Sequence, residues 1–282
     1  MLVLKYNKTL SEAKEIKKSG RMTALCYLLY AIVMSASGIL LDFNNVVNLL
    51  LANVLSAIAC VAFMAAIARR SFASLGMNSG ILNYPLGWML SAVILFIIWL
   101  INIVFHAVNT SVNQKINLRI FLLLLIGFIF QGFMEEFIMR SLLFTQLALR
   151  FGVIAAILLN SSVFALMHIA NANASVISLV NTFLIGILFS LIYYYHDNIW
   201  LVAGFHSGWN FILGAVIGIS VSGFELPTTI FKTEINENLA VLNGGLYGFE
   251  AGSPVTVIIV LMIVIYILLL KNNSQKLIQK SD

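Results

Sequence analysis

An all-α, polytopic membrane bundle of about eight spanning helices is the fold that three observations predict. Hydrophobic residues make up 61% of the 282 positions and charged residues 10%, with a mean hydropathy of +1.00, a balance that soluble domains do not have. The apolar residues fall in runs of about 20, the length that a ~30 Å hydrocarbon core demands. Lys and Arg gather in alternate connections between those runs. This pattern excludes a secreted disulfide scaffold, since the two cysteines, Cys26 and Cys60, lie inside apolar runs and act as small hydrophobes.

Residues 1–21 are polar and basic, with apolar points at Leu4, Leu10, Ala13 and Ile16. They fit a helix lying on the inner membrane surface, and equally a frayed basic tail. Ser35-Ala36-Ser37 is small enough for signal cleavage, but the apolar run continues past it, so the first span is read as retained. The spans run Met22–Leu41, Val46–Ala68, Leu86–His106, Arg119–Leu147, Val153–His168, Val176–Tyr195, Ile199–Ile219 and Pro254–Leu270, the fifth being short enough to tilt or insert only partly. Residues 22–117 form an N-terminal group of helices and residues 118–220 a catalytic core. Residues 221–253 are an extracytoplasmic loop, and residues 254–282 a last helix with a basic tail. The acids of the long loop, Glu225, Glu234, Glu237 and Glu250, lack metal-loop spacing and read as solvated charge.

Short loops rich in Lys and Arg stay cytoplasmic. With the N-terminus inside, twelve basic residues (Lys5, Lys8, Lys14, Lys17, Lys18, Arg21, Arg69, Arg70, Arg150, Lys271, Lys276 and Lys280) lie inside and three (Lys115, Arg119 and Lys232) outside. Both termini are therefore expected in the cytoplasm, of a plasma membrane if the cell is prokaryotic. The pI of about 9.2 then reflects topology and anionic lipid, and a nucleic-acid partner is unnecessary.

One apolar run carries a costly anomaly. Between Phe121 and Phe144, Met-Glu-Glu-Phe-Ile-Met-Arg puts Glu135, Glu136 and Arg140 in hydrocarbon. Each such charge costs about 2.5–3.5 kcal/mol on insertion scales, so it needs a partner or a purpose. At 100° per residue Arg140 lies about 40° around the helix from Glu136 but about 140° from Glu135. Glu136 and Arg140 should pair and pin the helix to a neighbour, leaving Glu135 unpaired and pointing elsewhere.

Later helices carry further polar groups. Phe164 and His168 are four apart and share one face, as are His206 and Asn210. His106, beside Asn109, and His196, beside Asp197, read as interfacial. A carboxylate, two imidazoles and an amide can hydrolyse a bond in two ways. The carboxylate can act as general base on water, or it can join two His as a ligand set for a divalent metal such as Zn. Each motif alone is also what packing glue or interhelical hydrogen bonding looks like. A proton-coupled transporter relaying through Glu135 and the histidines, and a non-catalytic membrane immunity or scaffold protein, are the alternatives. Gly127, Gly132, Gly204 and Gly208 would let helices approach closely and leave room for a cavity.

Taken in order, Glu135-Glu136-x-x-x-Arg140, Phe164-x-x-x-His168 and His206-x-x-x-Asn210 resemble the three signature motifs of the CAAX-protease and bacteriocin-processing (CPBP, Abi) intramembrane proteases, over roughly Leu118 to Ile219. The resemblance implies an endopeptidase acting on a membrane-associated protein or peptide, in CAAX-type processing or in bacteriocin maturation or self-immunity. It implies a site inside the bundle, open to the cytoplasmic leaflet. Glu135 and His168 would activate water, His206 and Asn210 would stabilise the oxyanion, and Glu136, Arg140 and Phe164 would support the site. The family is called metalloprotease, yet members are also described as using a glutamate-activated water without metal. Glu135, His168 and His206 as metal ligands, and the metal-free route, both stay open.

Overall fold

The computed structural model describes residues 7–14, 19–40, 45–78 and 80–278; Leu4, Lys5, Ile16, Lys17, Lys18 and Lys280 lie outside them. The chain is a helical bundle: α1 (Lys8–Lys14), α2 (Ser19–Leu40), α3 (Asn45–Ala62), α4 (Asn83–Val104), α5 (Leu118–Glu136), α6 (Thr145–Phe151), α7 (Val153–Met167), α8 (Val176–His196), α9 (Trp200–Phe211), α10 (Ala240–Asn243) and α11 (Ser253–Ile278). Wider π-helical turns continue α3 over Phe63–Ile67, α5 over Phe137–Phe144 and α9 over Ile212–Ile217. Among the described residues seven helices are long and apolar enough to cross a membrane, and Val153–Met167 is a shorter apolar helix. The eight predicted runs thus appear as seven full spans and one short one, the fifth.

Most of the bundle shows its apolar side outward, as lipid-facing helices must. Trp200–Ile217 does not: 83% of its apolar window is buried, against 17–56% for the other spans. Small residues explain how so much of α9 fits between α4 and α5. A methyl on Gly204 would stand 2.8 Å from the Tyr84 carbonyl carbon, and one on Gly132 would stand 2.8 Å from the Ser207 Cα. Gly208 meets Trp88 and Ser91 at similar range. Backbones this close leave no room for a Cβ, so these glycines set the interhelical distance.

The two ends of the bundle are built differently. At one end α1 is tied down by Asp197, in the left-handed turn after α8 (φ 54°). Its carboxylate accepts from the N–H groups of Lys8 at 2.7 Å and Thr9 at 3.1 Å. That satisfies two donors which a helix start leaves without partners. Asn78 donates to the Asp197 carbonyl at 2.7 Å and accepts from Trp200 Nε1 at 2.9 Å through its own carbonyl. Leu10 is half-buried and Ala13 buried, so part of the basic N-terminal segment is helical, over Lys8–Lys14, and docked on protein. His196 lies at this end, near the Tyr266 hydroxyl at 3.3 Å.

At the opposite end the all-α pattern is broken by one small sheet. Strand β1 (Val108–Val112) pairs antiparallel with β2 (Phe231–Ile235), Thr110 facing Thr233. His106, in a positive-φ turn (52°), precedes β1. The long loop therefore has structure of its own and is joined to the α4–α5 connection.

The widened turn after Glu136 has a physical cause visible in its neighbours. Side chains reach in to its carbonyls: Tyr27 to Ile138 at 2.7 Å, Asn160 to Met139 at 2.6 Å and Thr145 to Arg140 at 3.3 Å. Such donors compensate a ladder that no longer closes with α-helical spacing, and π-helical turns concentrate at functional sites.

Candidate active site

Glu136 ends the regular part of α5 and is fully buried, as is Arg140. Arg140 Nη1 donates to Glu136 Oε1 at 3.1 Å, the pairing that the helical angle predicts. Its Nη2 reaches the Gly186 carbonyl on α8 at 3.3 Å, which pins α5 to that neighbour. The guanidinium lies 4.8 Å from the Phe164 ring centre and 5.3 Å from that of Phe189, so aromatic faces cover the charge.

His206 joins the two glutamates. Its Nδ1 is 2.8 Å from Glu136 Oε1 and its Nε2 is 3.7 Å from Glu135 Oε2. The Glu135 side chain keeps 22% of its surface while Glu136 keeps none, so Glu135 is the acid that faces open space. The expectation that Glu135 is unpaired needs correction: Gln131, one turn earlier, donates its amide N–H to Glu135 Oε1. Gln131 Oε1 in turn accepts from Asn210 Nδ2 at 3.0 Å. The amide bridges two of the predicted residues, and the i, i+4 spacing of Gln131 and Glu135 was the signal that could have found it.

His168 ends α7 with its Nδ1 2.8 Å from the Phe164 carbonyl. A carbonyl only accepts, so Nδ1 carries a proton, and in the neutral ring Nε2 keeps its lone pair. The Phe164 ring sits 4.8 Å from the His168 ring and 6.1 Å from the His206 ring, placing one aromatic between both imidazoles and Arg140.

Glu135, His168, His206 and Asn210 all line one cavity of about 350 Å³. So does a residue that the sequence reading assigned to solvent. Glu250 is buried. Its Oε2 accepts from the Ser222 N–H at 2.5 Å and hydroxyl at 2.9 Å, and Oε1 from Trp209 Nε1 at 3.2 Å. It is a structural carboxylate holding the loop onto α9, next to Asn210 in sequence through Trp209. Glu225, Glu234 and Glu237 are exposed, as expected. Nothing in the sequence spacing of Glu250 reveals partners 28 and 41 residues away.

Burial pushes the Glu250 carboxyl above its ordinary range, with the Ser222 donors offsetting part of the effect. A folded-state value raised above the unfolded one gives stability that is complete at low pH and is lost as pH rises through the folded value. Thermal unfolding of wild type and Glu250→Gln in detergent across pH is expected to show the wild-type advantage shrinking as pH rises. At its largest that advantage is about 1–3 kcal/mol, because an amide must turn its NH₂ toward either Trp209 or Ser222.

Among the described residues no three His, Cys, Asp or Glu side chains are grouped to hold an ion. His168 and His206 each have Nδ1 engaged, by the Phe164 carbonyl and the Glu136 carboxylate, and Nε2 outside those bonds.

Residues 117–212, about a third of the chain, match the family model described as type II CAAX prenyl endopeptidase Rce1-like. The matched stretch contains all three motifs and bears out the family resemblance that they carry. No curated protein matches the chain.

Proposed function

We propose that this protein, whose core is similar to the Rce1-like CAAX endopeptidases, hydrolyses a peptide bond of a membrane-associated protein or peptide within the bundle. The observation that carries the reading is the convergence of Glu135, His168, His206 and Asn210 on one cavity.

Water held between the Glu135 carboxylate and the His168 Nε2 lone pair loses a proton to Glu135 as its oxygen adds to the scissile carbonyl carbon. The carbonyl oxygen becomes an oxyanion. Asn210 has one amide N–H engaged by Gln131 and a second to give. When both ring nitrogens of His206 carry a proton, Nδ1–H goes to Glu136 and Nε2–H to the cavity. These two donors meet the oxyanion where little water competes, so they count for more than in bulk. Collapse of the intermediate breaks the C–N bond, and the proton on Glu135 passes to the departing amine. Gln131, Glu136, Arg140 and Phe164 position these groups.

The steps run through water and side chains alone. Cleavage is expected to survive a strong divalent-metal chelator. Loss of activity restored by Zn²⁺ would replace this route by the metal one. His206→Ala and Asn210→Ala should each lower the cleavage rate of a membrane peptide about 10²–10³-fold, measured by fragment release in proteoliposomes. Wild-type rates in both would remove the oxyanion assignment.

CAAX-type processing and bacteriocin maturation or self-immunity are the two settings the reading serves.

A further inference from the structure

Positive-inside topology and a site open to the cytoplasmic leaflet are both sequence expectations, and the geometry sets them against each other. The cavity runs from Glu135 and His206 toward the end of the bundle that holds the small sheet and the long loop. Met34, Val46, His168, Asn171, Phe224 and Leu226 line its outer part. Each lies in or beside a connection at that end, where α2 ends, α3 starts, α7 ends and the loop after α9 begins. No residue of the basic-end connections, 68–82, 145–152 or 197–199, contributes to the lining.

The basic end is closed below the site. Phe133 stacks between Phe137 and Trp200, with ring centres 6.0 Å apart in both pairs. Phe144 packs edge-on to Tyr193 at 5.7 Å, and both are fully buried. Docked α1 lies beyond them, capped by Asp197. Among the described residues this is also the end that carries Lys8, Lys14, Arg21, Arg69, Arg70, Arg150 and Lys271.

We infer that substrate reaches this site from the membrane face opposite the basic connections, the extracytoplasmic face, as an extended peptide segment presented there, and not as a cytoplasmic tail. The inference rests on the proteolytic reading above and adds the side and form of the substrate. His206 lies eleven residues from the outer end of its helix at Ile217, about 16 Å at 1.5 Å per residue. An extended chain covers that depth with about five residues at roughly 3.3 Å each. The scissile bond therefore lies at least that far along the segment from the point where it leaves the outer surface. The apolar lining suits hydrophobic side chains on both sides of that bond. Such a segment is what an exported peptide or a membrane protein with an outward-facing end supplies.

The test reads orientation independently of catalysis. Cys26 and Cys60 are buried, so they can remain as background. Phe224→Cys at the cavity rim and Lys232→Cys on β2 report one end, and Arg150→Cys and Lys271→Cys the other. In intact expressing cells a membrane-impermeant maleimide is expected to label the first pair, and to label the second only after permeabilisation. Labelling of Arg150→Cys or Lys271→Cys in intact cells overturns the inference, as does protection of Phe224→Cys and Lys232→Cys. A protein oriented as inferred but without cleavage would sink the protease reading alone. One that cleaves in the reverse orientation would sink this inference alone.

Discussion

Glu135→Gln is expected to lose peptide cleavage by about 10²–10⁴-fold, the range for removing a positioned general base, while purifying and melting like wild type. The reason for expecting so clean a separation is local. Gln is isosteric, the side chain is partly open to the cavity, and its neutral amide no longer asks His206 to balance a second carboxylate. The Gln131 contact can persist with its donor now meeting the new carbonyl oxygen. The His206 contact to Glu135, at 3.7 Å, is longer than the 3.1 Å pair of Arg140 with Glu136. Fragment release in proteoliposomes beside a thermal scan in detergent decides the matter: full activity in a folded Glu135→Gln protein would end the proposed mechanism.

Arg140→Met is expected to fail in the opposite manner, through the fold. The substitution keeps most of the volume but leaves Glu136, buried completely, with His206 as its remaining partner. Breaking a buried ion pair by removing one member costs about 3–5 kcal/mol, because the survivor is an uncompensated charge. The Gly186 carbonyl on α8 also loses its donor. A lower melting temperature and lower yield should result, with cleavage falling in proportion to folded protein and beyond it. Glu136→Gln combined with Arg140→Met removes both charges, so it should recover part of the stability without recovering the rate. Equal melting of Arg140→Met and wild type would show that the pair holds nothing together.

Which parts of this were legible in the chain follows from the range over which each signal acts. The spans are a matter of composition over about twenty residues, and they appear where the apolar runs lie. The Glu136–Arg140 pair is an angle on one helix, readable from the sequence because 3.6 residues per turn is a local rule. The same rule could not say that His206 would touch both glutamates, since that depends on how α9 sits against α5, a distance set by Gly132 and Ser207. Glu250 was invisible for a related reason. Its acid character reads as loop charge until the fold brings Ser222 and Trp209 to it. The β1–β2 pair joins segments about 120 residues apart in the chain, and neither strand is long enough to show a period of its own.

The widened turn over Phe137–Phe144 works as a phase shifter between two gears on one axle. A turn holding more than 3.6 residues advances the chain without advancing the facing of its side chains as an α-helix would. Upstream, the helix meets α9 with its glycine and glutamates. Downstream, it meets α7 and α8 with Leu142, Phe144 and Thr145. Because the offset is absorbed between these two meshings, a single-residue deletion there need not disturb the glutamates. The turn itself would close to α-helical spacing, and the lower half would keep its facing, because the residue removed is the one that the wide turn had absorbed.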